Sequence, residues 1–349
     1  MADDIRIETY TVSEIRDYLY SGNKADDLCQ VISPVLAWSV INNPYASGDT
    51  IIMSATYVND EGIGAVYLIP DFLPVHNKRV FWASTLWVKN SYDGKGYGFY
   101  MLATLQESCG GEIFDSGGVP ATIGIFRALG SMDLYAKSHI SYLHKSINMG
   151  TLKGQLAHCL DFPRREKMRL KQHLRLSEIA QKPFRMEYVR FVDDATYSFI
   201  KKHSNSDVFL RTREMLEWII NHPTRLSCPS YDRIEKDVSF LESYSLNAIK
   251  LFEQDTLVGF YIVVAENDKL IVKYLYYDRA HYQSVFDSLL EMFLTGDYKT
   301  FSTFDDVLSE FIGGFCARTD HHDISFSLPS FFRPAPGALF QGGDGDLFI

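Results

Sequence analysis

What most limits the fold of this chain is a repeat. The stretch TLWVKNSYDGKGYGFYMLATL (residues 85–105) and the stretch KYLYYDRAHYQSVFDSLLEMF (residues 273–293) each run from an apolar, aromatic strand through a loop into an amphipathic helix. The flanking segments agree as well. Before the first stretch come helical patterns in TVSEIRDYLYS and DDLCQVISPVLAWSVINNP, then three strands in DTIIMSATYV, GAVYLIPDFL and RVFWASTLWV. After it come strand-like EIFDS, helical PATIGIFRAL and strand-like DLYAKSHISYLHK. The second half offers strand FRMEYVRFV, helix DDATYSFIKKHS, helix LRTREMLEWIINHP stopped by Pro223, and three strands with EQDT and ENDK turns between them. A helix, a strand (YKTFSTF) and a helix (DDVLSEFIGGF) follow. One element order used twice predicts a duplicated fold of the mixed α/β or α+β sheet class. The expected organisation is a first domain over 1–150, a basic helical connector over 151–183, a second copy over 184–326 and a Pro/Gly-rich tail over 327–349.

The two copies differ at the strand-to-helix corner. The first carries Gly94, Gly96 and Gly98, and the second has no glycine there. Glycine permits positive φ and close approach of another group to the backbone. Amides just before a helix N-terminus face the positive end of its dipole, so a phosphate or pyrophosphate is the expected guest. Lys89 and Lys95 add positive charge. A P-loop requires Lys-Ser or Lys-Thr after its last glycine, and a dinucleotide fingerprint requires GxGxxG in a parallel βαβ unit; neither fits GKGYG.

Composition excludes other classes. The chain has 349 residues, 46% hydrophobic and 22% charged, as expected of an ordered globular protein large enough for two domains. Its net charge of −10 argues against a nucleic-acid partner. From Arg164 to Arg185, eight Lys/Arg face two Glu, a net +6 that leaves −16 for the remainder; this strip reads as the solvated face of the connecting helix. The acidic start MADDIRIETY lacks the features of a secretory signal, and no apolar run approaches the ~18 residues of a membrane span, so a cytoplasmic location is expected. Cys29, Cys109, Cys159, Cys228 and Cys316 are widely spaced without a CxxC, which predicts reduced, mostly buried thiols rather than disulfides or a zinc cluster.

The corner also carries a family resemblance. Asp93–Gly98, DGKGYG, resembles the Q/R-x-x-G-x-G/A signature that follows the fourth strand of the acyl-CoA N-acyltransferases of the GNAT superfamily, with Asp in place of Gln or Arg. IFRALGSMDLYAKSHISYL resembles the family's late helix and closing strands, and residues 43–73 resemble its preceding sheet. The resemblance covers residues 1–150; residues 184–316 share only the element order. It implies two tandem GNAT-like domains, the second degenerate, and transfer of an acyl group, usually acetyl, from CoA to an amine. The cosubstrate would be acetyl-CoA or another acyl-CoA. The resemblance places its pyrophosphate on the backbone of Gly94, Lys95, Gly96, Tyr97 and Gly98 beside Lys89, and its pantetheine arm along Leu86 to Val88. The acceptor would be the amine of a small molecule or peptide, and the protein a monomer or homodimer.

Catalytic candidates are Asp115 at the end of the strand beside the acyl site, His139 on a closing strand, and Ser84, which shares a strand face with Trp82. Each also has a structural reading, in capping, packing or the core. Phe126 stands where many family members place the tyrosine that protonates the leaving thiolate, and Val119 stands where an Asn is common. A non-catalytic acyl-CoA-binding protein is therefore the alternative to an enzyme. His321 to Asp323, HHD, lacks a third ligand at metal spacing, and no metal is expected.

Overall fold

The computed structural model describes residues 3–20, 28–73, 76–144, 152–204, 206–227 and 240–344, leaving aside the side chains of 152–161 and of residue 240. Cys228 and the side chain of Cys159 lie outside these. The first pass through the fold runs β1 (Ile5–Thr11), α1 (Val12–Tyr20), α2 (Pro34–Ile41), β2 (Ile51–Val58), β3 (Glu61–Leu73), β4 (Lys78–Val88), α3 (Tyr97–Ser108), β5 (Ile113–Ser116), α4 (Pro120–Ala128) and β6 (Met132–Tyr142). After the long helix α5 (Leu152–Ile179) come β7 (Phe184–Val189), α6 (Asp194–His203), α7 (Arg213–Asn221) and the two-residue pair β8 (Leu226–Ser227) and β9 (Phe240–Leu241). The second pass closes with β10 (Tyr244–Glu253), β11 (Thr256–Glu266), β12 (Lys269–Tyr277), α8 (Tyr282–Thr295), β13 (Thr300–Thr303), α9 (Asp306–Gly313) and β14 (Arg318–Leu328).

Several elements depart from the sequence reading: β14 and the short pair β8 and β9 were not expected, and two further departures have a local cause. β1 was not expected, because Arg6 and Glu8 alternate with Ile5 and Ile7 in a short segment with a weak apolar face. It forms by pairing antiparallel with β2, from Ile5 opposite Val58 to Thr11 opposite Ile51, and matches β7 of the second pass. The single helix expected over residues 26–44 is broken. Ser33 caps a new helix by accepting the Leu36 amide, and Pro34 takes its first turn, where a missing N–H has no cost.

The described chain divides into two compact units that are not continuous in sequence. One comprises 1–136, 206–242 and 324–349; the other comprises 137–205 and 243–323. In the first unit β1, β2, β3 and β4 are successive antiparallel neighbours, and β5 lies parallel to β4. β5 then pairs antiparallel with β14, Asp115 opposite Ser327. In the second unit β7, β10, β11 and β12 repeat the antiparallel order, β13 lies parallel to β12, and β6 pairs antiparallel with β13, His139 opposite Thr303. The final strand of each pass is thus the partner of the short parallel strand of the other pass.

Each unit has its own core. In the first, α3 and α4 pack Met101, Leu102, Leu105 and Phe126 on Val66, Leu68, Phe81, Ala83 and Ile113 of the sheet, and α1 and α2 form a second cluster with β2. In the second, α8 and α9 bury Phe286, Leu289, Phe293 and Leu308 on β10 to β13. Most of the basic strip lies on α5, with Lys182 just after it and Arg185 on β7, and several of its charges are engaged. Arg175 and Lys182 both pair with the fully buried Asp287. Among the described residues, no helix is long and apolar enough to cross a membrane. Of the three cysteines fully described, only Cys316 is buried, whereas Cys109 is intermediate and Cys29 exposed. The expectation of mostly buried cysteines fails at Cys29 because it lies on a one-turn segment that buries Leu28 instead.

Candidate functional site

β4 leaves the regular ladder near its C-terminal end. Ser84 lies opposite Tyr67 and Trp87 opposite Ala65, so Thr85 and Leu86 form a bulge in the register. Thr85 has φ +50°, an unusual value for a β-branched residue. Its hydroxyl lies 3.2 Å from that of Ser84, which is itself buried. The same strand parts from its parallel neighbour close by. β4 and β5 pair at Phe81–Ile113 and Trp82–Phe114, after which β5 turns to β14. Bulge and parting together bring irregular backbone next to the place where two parallel strands diverge. The sequence signal for Thr85 is nil, because a threonine within a strand is ordinary.

The chain then crosses residues 89–96 and enters α3. Gly94 has φ +74° and Gly96 φ +85°, and Gly96 is the left-handed N-cap residue of α3. No side chain caps that end, so the first-turn N–H groups have no side-chain acceptor. Gly98 plays a different part from its neighbours, without positive φ. A Cβ there would lie 3.7 Å from Leu86 and Ile125, so this glycine sits where helix, bulge and α4 meet. Tyr97 is buried, with its ring 6.1 Å from Tyr92 edge-on.

Charge at the corner is largely compensated. The Lys89 ammonium is 2.7 Å from Glu61, its amide donates to the Ile63 carbonyl at 2.7 Å, and Lys95 lies 4.6 Å over the Tyr92 ring. Asp93, the residue in place of the family's Gln or Arg, accepts the Gly94 amide at 2.8 Å. It closes its own loop and takes one backbone donor out of use. The corresponding corner of the second pass is shorter, residues 278–281, with no positive φ, and Asp278 accepts the Ala280 amide.

Of the catalytic candidates, Ser84, Asp115 and the whole corner all belong to the first unit. Asp115 is buried, with Oδ2 against the Gly118 backbone just before α4. His139 belongs to the other unit. There its Nδ1 lies 2.7 Å from Nδ1 of His321 and its Nε2 is 2.7 Å from the exposed Asp306. Part of HHD is therefore a packing partner of His139. Among the described residues, no group of three or more His, Cys, Asp or Glu is placed to hold a metal. Trp82 and Ser84 do share a face, but Trp82 is fully buried under Phe114 and Phe209, at 5.1 and 4.8 Å between ring centres. Phe126 is buried in the α3–α4 core and presents no polar atom.

No family model matches the sequence, and no curated protein matches it. Solved structures do. A GCN5-related N-acetyltransferase from Kribbella flavida superposes with TM-score 0.50 at 12% identity, over 94% of this chain and 73% of that one. N-myristoyltransferase from Saccharomyces cerevisiae, with bound myristoyl-CoA, superposes with TM-score 0.50 at 10% identity, over 94% of this chain and 83% of that one.

Proposed function

We propose, for a chain with the fold of the GNAT acyltransferases, that the first unit binds acyl-CoA, most simply acetyl-CoA, and transfers its acyl group to the amine of a small molecule or peptide. The observation that carries this reading is the conjunction at one corner: two left-handed glycines, an uncapped helix N-terminus and a bulged strand parting from its parallel neighbour. Amides from Gly96 into the first turn of α3 would hold the pyrophosphate. The open edge of β4 from Leu86 to Val88 would carry the amide-rich pantetheine arm, which extends the sheet by backbone hydrogen bonding.

Chemistry would follow at the bulge. Irregular backbone there can direct an N–H at the thioester oxygen, where negative charge develops as the amine attacks, and fixed alignment of amine and thioester supplies much of the rate. Asp115 would take the proton that the amine loses, and Ser84 would orient the acceptor from the neighbouring strand. The second pass, without glycines and with a closed corner, would have lost this site.

Calorimetry with acetyl-CoA tests the reading. Wild type is expected to bind, and Gly96→Glu, which puts a side chain and a negative charge at the proposed pyrophosphate seat, is expected to lose binding by at least about a hundredfold, while Gly124→Ala on α4 leaves it unchanged. Binding indifferent to Gly96→Glu sinks the assignment. A second reading, a CoA-binding protein without transferase activity, is favoured specifically by Phe126, which supplies no proton to a departing thiolate. Thiol release across amino sugars, amino acids, polyamines and peptide N-termini separates the two.

A further inference from the structure

The last described residues of the chain return to the first unit and lie against β4 and β5. Phe332 is buried, its ring stacked on Phe209 at 5.6 Å with 15° between planes and 5.4 Å from Phe114; Phe209 in turn meets Trp82. Trp82 and Ser84 point to the same side of β4, so these rings cover the face from which an acceptor would approach the bulge. The covering segment has little regular structure of its own. It carries Pro334, Pro336 and Gly337, its middle is exposed, and its hold on the unit comes from Phe332 at one end and residues 339–344 at the other. At that second end Leu339 exchanges backbone bonds with Ser206 and Val208, and Phe340 stacks on Phe326 at 4.1 Å.

Beneath this anchor lies a group of charges buried together. Arg211 pairs with Asp71 of β3 through one nitrogen and with Asp344 through another at 2.9 Å. Asp71 also accepts the Trp82 indole N–H at 2.9 Å, and Gln341 donates from its side chain to both oxygens of Asp207 at 3.3 Å. Two carboxylates thus bond one guanidinium, and a third, Asp207, lies within reach of its charge. One pair is satisfied by the arginine; further negative charge in so dry a place is costly. We propose that residues 329–344 form a releasable strap over the acceptor side of β4 and β5, held shut by the Arg211 cluster and let go as pH rises.

The sign follows from which state holds the protons. Burial, reinforced by Asp344, pushes Asp207 up to about 8, and burial pushes Asp344 up to about 6 against the pull of Arg211. The charged groups facing them are Arg211, Asp71 from β3 against Asp344, and each other, while Tyr45 and Glu214 at the start of α7 lie on the far side of the cluster, Tyr45 against Asp71 and Arg211. With the strap open, both carboxyls meet water and titrate near their ordinary values. The closed form therefore binds more protons, is favoured at low pH, and weakens as pH climbs from the ordinary carboxylate range to about 8. As a gate on acceptor entry the strap rests on the acyl-transfer reading; as a moving part it does not.

Amide hydrogen exchange on the full chain tests it without any ligand. After correction for the intrinsic rate, exchange of strap peptides within 331–344 is expected to accelerate at least tenfold between pH 6 and pH 8, while peptides of α3 hold steady. Asp207→Asn, neutral at every pH, is expected to flatten that response, and Phe332→Ala to raise strap exchange at both pH values without changing α3. Equal protection at the two pH values, an unaltered response in Asp207→Asn, or free exchange of the strap at pH 6 would each overturn the proposal. Acetyl-CoA calorimetry on the same samples keeps the two claims apart. A strap that switches in a protein indifferent to acetyl-CoA stands as a conformational device alone, and a protein that binds acetyl-CoA with an unresponsive strap keeps its function and loses its gate.

Discussion

Gly94 and Gly124 offer a paired measurement of what a methyl group does to this backbone. A Cβ at either position meets no atom within 4 Å, so neither substitution changes packing. Gly94 is left-handed at φ +74°, and Gly94→Ala is expected to destabilise by about 1 to 2 kcal/mol from backbone strain alone. Gly124 lies inside α4, where the same change to Ala is expected to stabilise by about 0.5 to 1 kcal/mol. Urea midpoints with unchanged slopes would establish both signs; two shifts in the same direction would refute the assignment. Gly94 and Gly96 were legible in the sequence because the need for positive φ is local. Thr85 was not, since its positive φ is imposed by the bulge and by β3 rather than by its own preference.

Helix ends show how local signals and packing combine. Asp193 caps α6 by accepting the Thr196 amide at 2.8 Å, as its place before DATYSF suggested, but it also holds the buried Lys250 of β10, which no spacing announces. Lys250 and Thr196 draw its carboxyl well below the usual range. A depressed carboxylate contributes stability above its unfolded value and loses that contribution as pH falls through its folded value. Asp193→Ala is accordingly expected to cost about 1 to 2 kcal/mol at neutral pH. That difference should shrink toward zero in strong acid, as thermal melts across pH would reveal. A deficit independent of pH would assign the effect to the cap geometry alone. α3 and α4 end alike, Gly111 donating to Gln106 at 2.8 Å and Ser131 to Phe126 at 2.9 Å, so both helices on this side of the sheet are closed by glycine-containing turns the sequence displayed.

At the scale of the molecule, the consequence of the strand arrangement is that residues 1–150 lack a partner for β5, because β14 is contributed by residues beyond 317. They also lack α7, whose Trp218 indole donates to the Ser39 carbonyl at 2.9 Å, and Phe209, which covers Trp82 and carries Phe332 stacked on it. An exposed edge and an uncovered aromatic face favour aggregation over folding. The isolated fragment is expected to show no cooperative thermal transition, and a sharp two-state melt would show that these late segments are dispensable.

The sequence by itself determined most of the order of elements, their duplication and the corner at Gly94 and Gly96, because each follows from periodicity, turn chemistry or the conformational needs of single residues. The tertiary structure alone decided which strand lies beside β5, which unit receives His139, that β1 exists, and that Arg211 gathers Asp71 and Asp344 beneath a strap. Those outcomes join segments far apart in the chain. Local propensity is nearly indifferent among the available partners, and the choice falls to whichever pairing buries the most apolar surface while leaving the fewest backbone groups and charges unmet.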